Sequence, residues 1–181
     1  MPDPIHFKGS EKVQDILQPK LTKVDTQPAY RIISTHDHPE LVDVTGHWRW
    51  QGFFKNQGVD LQEVLRYERE RASSRDGIPR TFVLMEDRRP LGMVTLAEDD
   101  LDIRPNLNPW LADLYVAEPF RGRGHGLRLV RGLEIKARET GIARLWLFTT
   151  GADMLYAKAG WLAVETVARR RDAITIMQRD L

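Results

Sequence analysis

The sequence predicts a mixed α/β domain, and three observations predict it. Runs of branched and aromatic residues at 30–35, 80–86, 90–98, 110–116 and 143–150 read as strands. Between them lie helical segments, one with Gly126, Val130, Leu133 and Ala137 spaced four, three and four apart, a single buried stripe. A glycine-rich turn, Arg121-Gly-Arg-Gly-His-Gly126, joins a strand to that helix. At 181 residues the chain fits one domain, read here as 28–181 behind a polar arm at 1–27.

The elements follow in order. The arm carries prolines at 2, 4 and 19 and room for a short helix over 12–17. YRIIST (30–35) alternates as a strand should. Pro39 opens a helical stretch to Phe54, with a break expected near Gly46. Asp60 is a helix cap for 61–74, whose Leu65, Glu68, Arg69 and Arg71 read as a solvated charged face. Residues 80–86 and 90–98 form a hairpin around Asp87-Arg88-Arg89, and a polar loop leads to the strand 110–116. The helix at 124–140 ends at Gly141, where a C-cap glycine belongs. A strand (143–150), a short helix (152–160) and a final hairpin around Arg169-Arg170-Arg171 complete the chain.

Composition narrows the function classes. There is no cysteine, which removes disulfides, thiol nucleophiles and thiolate metal sites. A formal net charge of +1 gives no global attraction to nucleic acid or membrane. The first residues lack the apolar core of a signal peptide, and no run reaches the length of a membrane span. A cytoplasmic protein is expected, and a homodimer is compatible with the sequence. His36 and His38 share a side of a strand end, but no third ligand is evident, so no metal is expected. The arginines at 169–171 lack the interleaved aromatics of a nucleic-acid surface.

The glycine turn carries the chemistry. A helix N-terminus has free N–H groups and partial positive charge. Glycines let an anion reach that backbone. The dinucleotide fingerprint G-x-G-x-x-G is not met, because its third glycine would fall at Leu127. No Gly-Lys-Ser/Thr of a P-loop is present. On the glycines alone, two readings stand: a phosphate site, or a turn with solvated arginines.

The run Val116-Ala-Glu-Pro-Phe-Arg121-Gly-Arg-Gly124-His-Gly126 resembles motif A of the GNAT superfamily of N-acetyltransferases, with its core Arg/Gln-x-x-Gly-x-Gly/Ala. Tyr156 stands 35 residues after Arg121, in Leu155-Tyr-Ala-Lys-Ala-Gly160-Trp161, which looks like the family's second signature. The resemblance covers about residues 30–180. It implies the GNAT fold, a central mixed, mostly antiparallel sheet with a splayed cofactor cleft between flanking helices. It also implies acetyl-CoA as cosubstrate. The backbone of Leu114 and Val116 would hold the pantetheine, and the Leu114 N–H would face the thioester oxygen. Amides of Arg121, Gly122, Arg123, Gly124, His125, Gly126 and Leu127 would wrap the pyrophosphate. Thr149 stands where many members carry an asparagine. Tyr156 takes the place of the family's general acid; without the resemblance it reads as a core tyrosine.

Transfer needs a neutral amine, and an alkyl amine is about one part in a thousand neutral near pH 7, a deficit of roughly 4 kcal/mol. A base, a pK-lowering pocket or both must supply it. The family's usual base positions are Trp110 and Ala112 here, and neither can serve. Asp113 lies on the opposite parity. A bulge would turn it inward as a base; otherwise it is an exposed carboxylate. Water-linked Glu98, Asp99 or Asp100 is a further option. Those acids, with Trp48 and Trp50, also fit a pocket for a cationic amine with an apolar part. The expected partners are acetyl-CoA and a primary amine acceptor. A non-catalytic acyl-CoA-binding module is the alternative.

Overall fold

The computed structural model describes residues 29–74 and 77–181. The expected arm and its short helix lie outside the described residues. Strand β1 (Tyr30–Ser34) leads to a 3-10 turn opened by Pro39, then to helix α1 (Val42–Arg49). A π-helical turn (Trp50–Phe54) and a second 3-10 turn (Lys55–Gln57) follow. Helix α2 (Leu61–Ser73) begins at Asp60, whose carboxylate accepts from the Gln62 N–H at 2.7 Å.

The break expected near Gly46 does not occur. Gly46 lies inside α1 and faces α2, where a Cβ would sit 2.6 Å from Leu65 Cδ2. Glycine weakens a helix interior by about 1 kcal/mol, and here it lets two helices approach closely. The reading of a solvated face on α2 also fails in part. Leu65 and Glu68 are 4% and 2% exposed. They continue the apolar row begun by Val64, so position on the helix decided their burial and charge did not.

β2 (Arg80–Glu86) and β3 (Arg89–Ala97) form the hairpin, and β4 (Trp110–Val116) pairs with β3. Then come α3 (His125–Glu139), β5 (Arg144–Thr149), α4 (Asp153–Lys158), and the hairpin of β6 (Leu162–Arg169) and β7 (Asp172–Asp180). The sheet has seven strands in the order β1-β2-β3-β4-β5-β7-β6. All pairs are antiparallel except β4 with β5. That parallel pair meets at one position, Trp110 opposite Trp146. Beyond it the two strands splay apart.

The sheet has two covered faces. On one, Leu129, Val130, Leu133 and Ala137 of α3 pack on Val94, Leu96, Leu145 and Leu147. On the other, α1 covers Val83 and Met85, while Leu101 and Leu107 of the loop after β3 cover Trp110, Ala112 and Ile176. The buried Glu134 of α3 accepts from the indole N–H of Trp161 at 2.8 Å, which ties α3 to the end of α4. No helix among the described residues is long and apolar enough to cross a membrane.

Candidate active site

The site begins with the direction of β4's amides. The Ala117 N–H donates to the Leu91 carbonyl, towards β3, at 2.9 Å. Strand amides alternate sides. Counting back, the N–H groups of Val116 and Leu114 therefore point away from β3, into the gap beside β5. Counting forward from the Trp146 N–H bond to the Pro109 carbonyl gives the opposite parity. A bulge reconciles the two. The β3–β4 register shifts between Met93 and Thr95, and Asp113 sits opposite that shift with φ +51°. The extra residue turns Leu114 and Val116 towards the gap.

The bulge also settles where Asp113 points. Its side chain turns inward, as a bulge would make it, and meets the guanidinium of Arg49. Arg49 is 2% exposed and also bonds Glu68 Oε1 at 3.1 Å, Thr95 Oγ1 at 2.9 Å and Thr81 Oγ1 at 3.1 Å. Sequence reasoning missed Arg49. Its signal was available: Thr45, Gly46 and Arg49 share one face of α1, and all three are buried.

At the end of β4 the chain makes the glycine turn. Gly122 and Gly124 have φ of +75° and +78°, and open space surrounds the Cβ each lacks. Left-handed backbone favours glycine. Gly124 is the N-cap of α3 and offers no side chain, so the first amides of the helix stay free of a side-chain partner. A cleft of about 350 Å³ opens here, lined by Val116, the turn, Leu127 and Leu155. Arg121 folds back, its Nε donating to the Val116 carbonyl at 2.9 Å. Arg123 is exposed. The His125 ring turns into the protein against Tyr30, and burial lowers its pKa, so only its main chain belongs to the cleft.

Burial raises two titratable groups here. Tyr156 on α4 is 7% exposed, and burial raises its phenol to about 12, with the charge of Asp100 adding to the shift. Its ring meets Trp161 edge-on at 6.2 Å. Its hydroxyl has no hydrogen-bond partner among the described residues. Asp100, half-buried after β3, is raised to about 6 by burial, against the pull of Arg169, Arg49 and Arg71. The phenol thus holds its proton across the neutral range, and the Asp100 carboxyl titrates just below it.

The remaining candidates divide. Glu98 and Asp99 are exposed beside Asp100. Trp48 stacks on Tyr115 at 6.1 Å and packs into two core clusters. The Trp50 indole donates to the Val59 carbonyl at 2.9 Å, fastening the chain before α2. Thr149 accepts from the Ala152 N–H at 3.0 Å and so shapes the turn into α4. His36 bonds the Ala72 carbonyl and His38 bonds Glu40, so the two histidines take separate partners.

Residues 43–161 match the family model described as acetyltransferase (GNAT) family. N-alpha-acetyltransferase 80 of Mus musculus is 41% identical over 68 residues, which span 35% of this chain and 22% of that protein. Among solved structures, the acetyltransferase of GNAT family from Streptococcus pneumoniae superposes with a TM-score of 0.62 at 16% identity, covering 84% of this chain and 99% of that one. The yncA protein of Salmonella typhimurium, solved with its cofactor acetyl-CoA, gives 0.61 at 17% identity, covering 84% and 94%.

Proposed function

The chain belongs to the GNAT acetyltransferase family, and from that premise we propose that it moves an acetyl group from acetyl-CoA to a primary amine. One observation carries the reading: the bulge at Asp113 turns the Leu114 and Val116 amides into an unpaired gap that runs to the uncapped start of α3. These groups fit a pantetheine and a pyrophosphate. The Leu114 and Val116 backbone would hold the first. The amides from Gly122 to Leu127 would hold the second, with Arg123 adding charge. When bound, acetyl-CoA supplies an activated thioester.

The chain's own groups do the rest. The Leu114 N–H stabilises negative charge developing on the carbonyl oxygen. Asp100 removes the proton from the acceptor ammonium. With a pKa of about 6 it is ionised at neutral pH and still basic enough to act. Tyr156 gives a proton to the departing sulfur, and a pKa of about 12 keeps that proton in place until it is needed. Asp113 is spoken for by Arg49, so we assign the base to Asp100. Glu98 and Asp99 beside it favour a cationic acceptor. The relative named an N-alpha-acetyltransferase adds peptide N-termini to the amines worth testing.

The test is thiol release from acetyl-CoA across a panel of polyamines, amino-acid amides and short peptides. Release with a cationic amine is expected. A protein whose melting temperature ignores saturating acetyl-CoA, and which releases no thiol, would refute the assignment.

A further inference from the structure

Arg49 is the last residue of α1, and at 2% exposure it is out of reach of any substrate. A guanidinium has five N–H donors in a planar fork, and this one makes four bonds to four acceptors: Glu68 on α2, Thr81 on β2, Thr95 on β3 and Asp113 on β4. Two of these acceptors stand at one structural irregularity. Thr95 marks the point where the β3–β4 register shifts, and Asp113 is the β4 residue bulged out by that shift. One side chain thus grips both strands at the bulge.

The bulge needs such a grip. A left-handed backbone at a non-glycine residue is unfavourable and persists only where its surroundings hold it. If Asp113 relaxed into regular pairing, every later amide of the strand would change sides. The Leu114 N–H would then turn from the gap towards β3. The other half of the anchor is solid. Glu68 is as buried as Arg49, and Thr81 and Thr95 are 4% and 0% exposed.

We propose that Arg49 is a positioning residue for acetyl transfer: by holding Asp113 in the bulge it aims the Leu114 N–H at the carbonyl oxygen of the thioester. This rests on the reading that Leu114 is the donor to that oxygen. A buried arginine in a plain core ion pair would matter for folding alone. The proposal instead ties it to the polarisation of a bond it never touches.

The experiment uses acetyl-CoA labelled with ¹³C at the thioester carbonyl and infrared spectroscopy of the bound ligand. The parent protein is expected to lower the carbonyl stretching frequency relative to free acetyl-CoA. Asp113→Ala removes Arg49's acceptor and disfavours the left-handed backbone. It should return the frequency towards the free value and lower kcat about 30- to 100-fold, with Kd for acetyl-CoA changed less than tenfold. Asp113→Asn keeps an oxygen for Arg49 and tolerates positive φ, and should recover most of both losses. Arg49→Lys should resemble the alanine variant; if it fails to fold, the Asp113 pair decides. A folded Asp113→Ala protein with the parental frequency and kcat overturns the proposal. A parent complex that shows the free-ligand frequency removes Leu114 as the donor, and the proposal with it, while leaving acetyl-CoA binding itself intact.

Discussion

Arg49 and Asp113 face each other across the α1 side of the sheet, a buried guanidinium against the carboxylate of a bulged strand residue. The pairing gives the Asp113 charge a buried partner, which is the ground for proposing a different base. It leaves Asp100 as the carboxyl poised near neutrality.

The pH–rate profile should therefore carry one acidic limb. kcat/KM is expected to rise through pH 6 as Asp100 ionises and to level off above pH 7. Asp100→Asn should lower kcat/KM at least 100-fold and erase the limb. A variant at Asp100 that keeps the limb would place the base elsewhere.

The same residue should weaken the fold. Its folded pKa of about 6 lies above the ordinary 3.8, so the folded state favours the neutral form. Stability from this group is greatest below about pH 4 and falls as pH rises from there through 6. At pH 7.5 the cost is fully present, and each pK unit is worth about 1.4 kcal/mol. Asp100→Asn should raise stability on the order of 2 kcal/mol at pH 7.5 and leave it unchanged near pH 3.5. Denaturant titrations at the two pH values measure the difference. A gain in stability alongside a loss of rate marks a group kept for function.

Tyr156→Phe keeps the ring and its edge contact with Trp161 and removes the proton. Acetyl-CoA binding should hardly change. Turnover should fall roughly 10- to 1,000-fold, and less for a thioester whose thiol is more acidic. Because the phenol stays protonated to about pH 12, the parent should show no alkaline limb from it below pH 10. Parental turnover in the variant would return Tyr156 to the core.

Gly92 offers a stability test beside the site. It lies in β3 opposite Val116, and a Cβ there would run into the Tyr115 carbonyl, with Val116 Cα 3.0 Å away. Those are backbone atoms and cannot swing aside. Gly92→Ala should destabilise by about 1–3 kcal/mol and weaken acetyl-CoA binding by pushing β4 out of place. Thermal melts with and without acetyl-CoA check both effects.

Much of this was legible beforehand. Alternating branched residues located all seven strands, and the glycine turn located the start of α3. Both signals are local and need no partner to be read. Arg49 and Glu68 were not legible as a pair, because 19 residues separate them and each alone looks like a solvated charge. Asp113 could be read as turned inward only if a bulge formed, and the bulge depends on how β3 pairs with β4. Asp100 was one acid among four in its loop. Its elevation comes from burial that the fold of the loop creates. That the Thr149 hydroxyl also holds the turn into α4 depends on where Ala152 folds back, which the sequence does not show.

The single bridge between β4 and β5 makes the sheet mechanically two plates pinned at one corner. β1 to β4 form one plate, and β5, β7 and β6 form the other. Across the corner from the pin the seam is open. A ligand laid along it, bonded to the Leu114 and Val116 amides, would act as a splint. The empty protein should then be softest along that seam. Hydrogen exchange at Leu114 and Val116 should be fast without ligand and slow sharply once the splint is in place. Protease resistance and shelf life should follow how much of the protein is splinted, so the supply of acyl donor would set how long the protein lasts.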